Sequence, residues 1–90
     1  MIPTIVTLQM IAGLAMPPPQ FDHYPTEAFT VMDFPAEMMP AACGKRPSQL
    51  IILACTDADG RRVMYREDLS PAVLAKVMRH EYGHLNGWVH

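Results

Sequence analysis

Ninety residues with a formal net charge of −2 are enough for one domain at most. The seven Lys and Arg residues are scattered, with Lys45/Arg46 and Arg61/Arg62 as adjacent pairs, so there is no basic stripe for nucleic acid and no nucleic-acid partner is expected. The longest apolar stretch falls short of the roughly 20 residues that a bilayer-spanning helix needs, so an integral membrane protein is not expected either.

Residues 1–15 carry no charged side chain and are largely apolar through Ile5, Val6, Leu8, Met10, Ile11 and Leu14. Two readings fit them. One is the apolar centre of a secretory signal, with Gly13-Leu14-Ala15 as a small-x-small cleavage pattern before Met16 but without a basic leading region. The other is an N-terminal strand, supported by Ile5 and Val6 and opposed by Pro3 and Gly13. The signal reading places the protein in the periplasm or outside the cell, and the strand reading leaves the cytoplasm open. Residues 16–20 form a proline-rich spacer, because Pro17, Pro18 and Pro19 each fix φ and lack an N–H. The folded domain then spans residues 21–90. Within it His23 is an isolated histidine, of the kind usually solvated or hydrogen-bonded, and only a distant candidate ligand.

From Glu27 to Phe34 the run Ala28, Phe29, Thr30, Val31 and Met32 has strand composition, and Pro35 ends it. Pro35 also suits the first position of a short helix through Met39, which Pro40 limits or splits into turns. Cys43 to Ser48 reads as a loop. Cys43 and Cys55, the two cysteines of the chain, fit a disulfide or two buried thiols equally well. Gln49 to Thr56 is an apolar, β-branched run expected to be a strand buried on both faces. Asp57-Ala58-Asp59-Gly60 is a turn. It superficially resembles a calcium loop but lacks the later glutamate, and a hairpin needs the same residues for its backbone. Arg61 to Arg66 alternates, with Val63 and Tyr65 on one side and Arg62, Met64 and Arg66 on the other, so it pairs with the preceding run as an antiparallel hairpin.

Ser70 followed by Pro71 marks a helix start: the hydroxyl caps free N–H groups and proline tolerates the first helical position. The helix is expected from Pro71 to about Asn86, with Val73, Leu74, Val77, Met78 and Leu85 near one stripe and His80 and His84 continuing its edge. Gly83 costs about 1 kcal/mol relative to alanine inside a helix, which suggests that another chain segment approaches closely there. Asn86 is read as the helix cap in preference to a ligand-orienting residue. The fold class expected is α+β: a small three-stranded, mostly antiparallel sheet packed against a C-terminal helix, with the hairpin edge free to receive an extended peptide.

The helix ends in His80-Glu81-Tyr82-Gly83-His84-Leu85-Asn86-Gly87-Trp88-Val89-His90. Histidines four residues apart on a helix point the same way, one turn above the other, so both imidazoles can reach one Zn²⁺. Glu81, one step around, flanks that position, where it can accept a proton from metal-activated water without coordinating. Gly87 can adopt positive φ and turn the chain so that His90 returns as a third ligand, with a carboxylate or His23 as the alternatives. Tyr82 faces away from the histidines and reads as a packing residue.

This H-E-x-x-H-x-x-G-x-x-H spacing resembles the metzincin clan of zinc endopeptidases at His80, Glu81, His84, Gly87 and His90. The clan's later methionine turn has no counterpart up to His90. The segment is also similar to short bacterial and phage-encoded metallopeptidases that carry R-H-E-x-x-H-x-N-G-W, matched by Arg79, His80, Glu81, His84, Asn86, Gly87 and Trp88. Val89 and His90 depart from the acidic residue and histidine that follow there. Together the resemblances cover only the last twelve residues. They imply a zinc metallopeptidase acting on a peptide or protein substrate, with Glu81 as general base and His80, His84 and His90 as metal ligands. The rival expectation, drawn from the shortness of the chain, is a metal-stapled binding or inhibitory module without turnover.

Overall fold

The computed structural model describes residues 4–44 and 51–89. Its centre is a strand, β3 (Ile52–Asp57), in which Ile52, Leu53, Ala54, Cys55 and Thr56 are all buried, as an apolar run without alternation requires. The turn expected at residues 57–60 folds β3 onto β4 (Arg62–Arg66) as an antiparallel hairpin, with Asp57 opposite Arg62. Asp57 Oδ1 accepts from Gly60 N at 3.2 Å, and its other oxygen pairs with Arg62, so the aspartate serves the turn.

The sheet has four strands in the order β1-β3-β4-β2 and is mixed, where three mostly antiparallel strands were expected. Two features make the difference. The N-terminal segment supplies β1 (Thr4–Thr7), antiparallel to β3, with fully buried Val6 opposite Ala54. The strand expected between Glu27 and Phe34 is β2 (Thr30–Phe34), and it runs parallel to β4. Both sides of β3 are taken by β1 and β4, so β2 cannot pair with β3 and docks instead on the outer edge of β4. The chain reverses once between β2 and β3 and again in the hairpin, which leaves β2 and β4 pointing the same way. The hairpin therefore has no free edge for an added peptide, and the outer edges belong to β1 and β2.

Pro35 and Pro40 divide the chain after β2 into a 3₁₀ turn (Ala36–Met38) and a single α-helical turn, α1 (Met39–Ala42), in line with the splitting expected at Pro40. Cys43, just after α1, is disulfide-bonded to Cys55 on β3. On this face of the sheet Met39, Cys43, Ile52, Cys55 and Met64 form one core. The long helix α2 (Pro71–Leu85) covers the other face, where Val6, Leu14, Leu53, Ala54 and Val77 form a second core. The β1–β3 register slips between Val6 and Thr7 and passes over Leu53, which lets Leu53 join Ala54 on the α2 side. After β1 the chain makes a 3₁₀ turn (Leu8–Gly13) and runs along α2, where Lys76 Nζ donates to the Ile11 carbonyl at 2.9 Å. Among the described residues no helix is long and apolar enough to cross a membrane.

Candidate metal centre

α2 starts as its sequence dictates. Ser70 Oγ accepts from Val73 N at 3.3 Å, and Pro71 occupies the first turn. Its C-terminal part carries the three side chains singled out above, and His80, Glu81 and His84 are all buried. The helix ends in a Schellman turn. Gly87, at φ +104°, donates to the His84 carbonyl at 3.1 Å, and Trp88 N donates to the Gly83 carbonyl at 2.9 Å. The positive φ expected of Gly87 is therefore present. The residue it turns back onto the helix, within the described chain, is Trp88.

His80 and His84 face one another with Nε2 atoms 3.0 Å apart. Each Nδ1 meets a backbone carbonyl: Ala15 O at 2.6 Å for His80 and Trp88 O at 2.8 Å for His84. A carbonyl can only accept, so both Nδ1 atoms carry the proton, and in the neutral rings both Nε2 lone pairs point into the same small space. Two acceptors at that distance favour a positive charge between them, whether a shared proton or a metal ion. Two tetrahedral zinc ligands at about 2.0–2.1 Å from the metal would have nitrogens roughly 3.3 Å apart, close to the separation found. Backbone carbonyls on the far nitrogens are also the usual way in which metal-binding histidines are oriented. The Trp88 ring stacks on His84 at 4.9 Å and meets His80 edge-on at 5.0 Å, closing one side of the pair. His80 opens onto a cleft of about 410 Å³ that is also lined by Gln9, Met10, Gly13, Leu14 and Ala15.

Glu81 turns towards the sheet. Its Oε2 accepts a hydrogen bond from Thr56 Oγ1 on β3, and its Oε1 has no hydrogen-bond partner. Burial pushes the carboxyl pKa up to about 8, against the opposing effect of the Thr56 hydroxyl.

The remaining candidates fall elsewhere. His90 lies outside the described residues, and among those described no group of three His, Cys, Asp or Glu side chains is arranged to hold a metal. His23 is exposed, bonded through Nδ1 to the Tyr24 carbonyl at 3.1 Å, and borders a different groove beside Met78, Arg79 and Tyr82. Tyr82 packs against Tyr24 and Phe29, as a residue turned away from the histidines should. Asn86 is the C-cap of α2, as expected, its backbone N–H donating to the Tyr82 and Gly83 carbonyls at 3.0 and 3.1 Å, while its side chain reaches elsewhere. Its Nδ2 donates to the Phe21 and His23 carbonyls, both at 2.8 Å, and so pins that loop to α2.

Gly83 is where the close approach occurs. A Cβ there would lie 2.5 Å from Pro17 Cγ and 2.9 Å from Trp88 Cε3. Pro17 is thus set against α2 two residues after the carbonyl that holds His80. Three contributors lie outside the motif: Thr56, the Ala15 carbonyl, and Arg61, whose guanidinium reaches the Leu85 carbonyl at 2.8 Å at the end of α2; Trp88 belongs to the motif, but its role as a cover was not read from it. Thr56 carried a readable signal, since a polar side chain inside a strand buried on both faces requires a partner. No family model, curated protein or solved structure matches the chain.

Proposed function

We propose that the protein is a small zinc-dependent hydrolase that cleaves peptide or related amide bonds, with His80 and His84 holding the metal and Glu81 handling the proton. The observation that carries this reading is the pair of Nε2 atoms 3.0 Å apart, each ring oriented through Nδ1 by a backbone carbonyl. The donor set suits zinc: two neutral imidazoles, a type of ligand that zinc takes readily. His90 is the proposed third ligand, from the spacing of the motif. Bound there, zinc would polarise a carbonyl and lower the pKa of water to about 7. The chain's own groups would do the rest. His80 and His84 fix the position, Trp88 excludes solvent from one side, and the cleft lined by Gln9, Met10 and Gly13–Ala15 admits the substrate. Beside a bound cation the raised Glu81 pKa would fall, leaving the carboxylate ionised to take up a proton and pass it to the departing amine. The disulfide is compatible with a periplasmic or extracellular setting, whereas β1 and the Ala15 carbonyl, both part of the fold, run against cleavage of residues 1–15 as a signal.

The second reading, a metal-stapled binding module, is favoured by one feature: Glu81 is wholly enclosed. One matched experiment separates them. Wild type, Glu81→Gln and chelator-treated protein are assayed for zinc by elemental analysis and for cleavage of an unstructured peptide library. The hydrolase reading expects about one zinc per chain in wild type and in Glu81→Gln, with cleavage reduced at least about 100-fold in the variant and the chelated sample. Stoichiometric zinc without any cleavage favours the binding module. Absence of zinc uptake overturns both.

A further inference from the structure

Thr56 is a hydroxyl in the most enclosed strand of the molecule. The four residues before it on β3 are apolar, and Thr56 itself is 2 % exposed. Valine would fill the same space and suits a strand equally well, so packing gives no reason for the oxygen. Its partner is Glu81, 25 residues later on α2: Oγ1 donates to Oε2, while Oε1 accepts nothing. A glutamate carboxylate turns easily about its last bond, so its two oxygens are ordinarily interchangeable. Here one is tied and the other is not. Thr56 is itself fixed, opposite Thr4 of β1 and Val63 of β4, and next to the disulfide-bonded Cys55.

We propose that Thr56 is a positioning residue that divides the labour of the Glu81 carboxylate, holding Oε2 against β3 so that Oε1 is the oxygen that exchanges the proton during hydrolysis. This rests on the hydrolase reading given above. The hydroxyl neither touches substrate nor binds metal; it acts through Glu81 by removing one of two equivalent orientations. Misplacing a reacting group by about 1 Å is enough to cost on the order of 100-fold in rate.

The test uses the zinc-loaded full chain with Thr56→Val and Thr56→Ser. Thr56→Val is expected to keep its zinc, lower kcat about 10- to 100-fold and leave KM within about twofold, since the loss lies in the reacting geometry. Thr56→Ser, which restores the hydroxyl, is expected to return kcat to within about threefold of wild type. A readout that does not depend on turnover is a thermal cycle of Thr56→Val, Glu81→Met and the double variant. Thr56→Val should lower Tm by several degrees with Glu81 present and by little in the Glu81→Met background. Additive Tm changes, or a Thr56→Val protein with wild-type kcat, would overturn the proposal. If wild type binds zinc and cleaves nothing, the hydrolase reading falls and the role of Oε1 falls with it, while a non-additive cycle would still establish the tie between Thr56 and Glu81.

Discussion

The two faces of the sheet are built on opposite principles. Towards α1 the core is Met39, Ile52 and Met64 around the Cys43–Cys55 disulfide, with no charged or hydrogen-bonding side chain in the cluster. Towards α2 the apolar cluster of Val6, Leu14, Leu53, Ala54 and Val77 adjoins a buried polar group of His80, Glu81, His84 and Thr56. A buried carboxyl and two buried imidazoles cost free energy unless each polar atom finds a partner. So small a domain can keep such a group only if stability comes from elsewhere, and the α1 face, covalently tied and wholly apolar, is the part able to supply it.

The largest effect expected of any single change falls on the α2 face. Deleting residues 1–15 removes β1, the buried side chains of Val6 and Leu14, and the Ala15 carbonyl that orients His80. Each of those two apolar side chains contributes roughly 1.5–3 kcal/mol by burial alone, so the shortened chain should lose its cooperative thermal transition by circular dichroism. A sharp transition at an unchanged temperature would show that the N-terminal segment is dispensable to this face.

The next effect is the pH dependence of the chelated protein. Glu81 has a folded-state pKa of about 8 against an ordinary value of 4.5, so the folded chain holds this proton more tightly than the unfolded one. Its contribution to stability is therefore full below about pH 4.5 and is lost as pH rises towards 8, a change on the order of 5 kcal/mol if the whole shift is expressed. Urea titrations from pH 5 to 9 should show that decline, and Glu81→Gln should flatten it. A wild-type slope no different from that of the variant would place the cost of the polar face elsewhere.

The smaller effect sharpens the contrast. Replacing Cys43 and Cys55 together by alanine opens a short loop and should cost on the order of 3 kcal/mol. Zinc affinity should change little, because the histidines lie on the other face. A parallel fall in zinc affinity, measured by competition with a chromogenic chelator, would show that the faces are not separable.

What the sequence disclosed follows the same division. α2 was legible because capping, a 3.6-residue stripe and the histidine spacing all lie within one local stretch, and the hairpin because its turn does too. The parallel placement of β2 was not, since it depends on β1 already occupying the far side of β3. Similarly, the anchors of the two histidines are the carbonyls of Ala15 and Trp88, and a backbone oxygen leaves no mark in the residue that bears it. Gly83 did betray a close neighbour. Nothing local could say that the neighbour would be Pro17.

Adjacent residues of β3 belong to opposite faces: Cys55 bonds Cys43 beneath the sheet, and Thr56 meets Glu81 above it. Side chains in a strand alternate, so a pairing one residue out of step would turn Cys55 towards α2 and Thr56 towards Met39 and Met64. In that arrangement the two sulfurs could not meet. The native disulfide is thus compatible only with the alignment that also delivers the Thr56 hydroxyl to Glu81, and once formed it holds β3 in that frame.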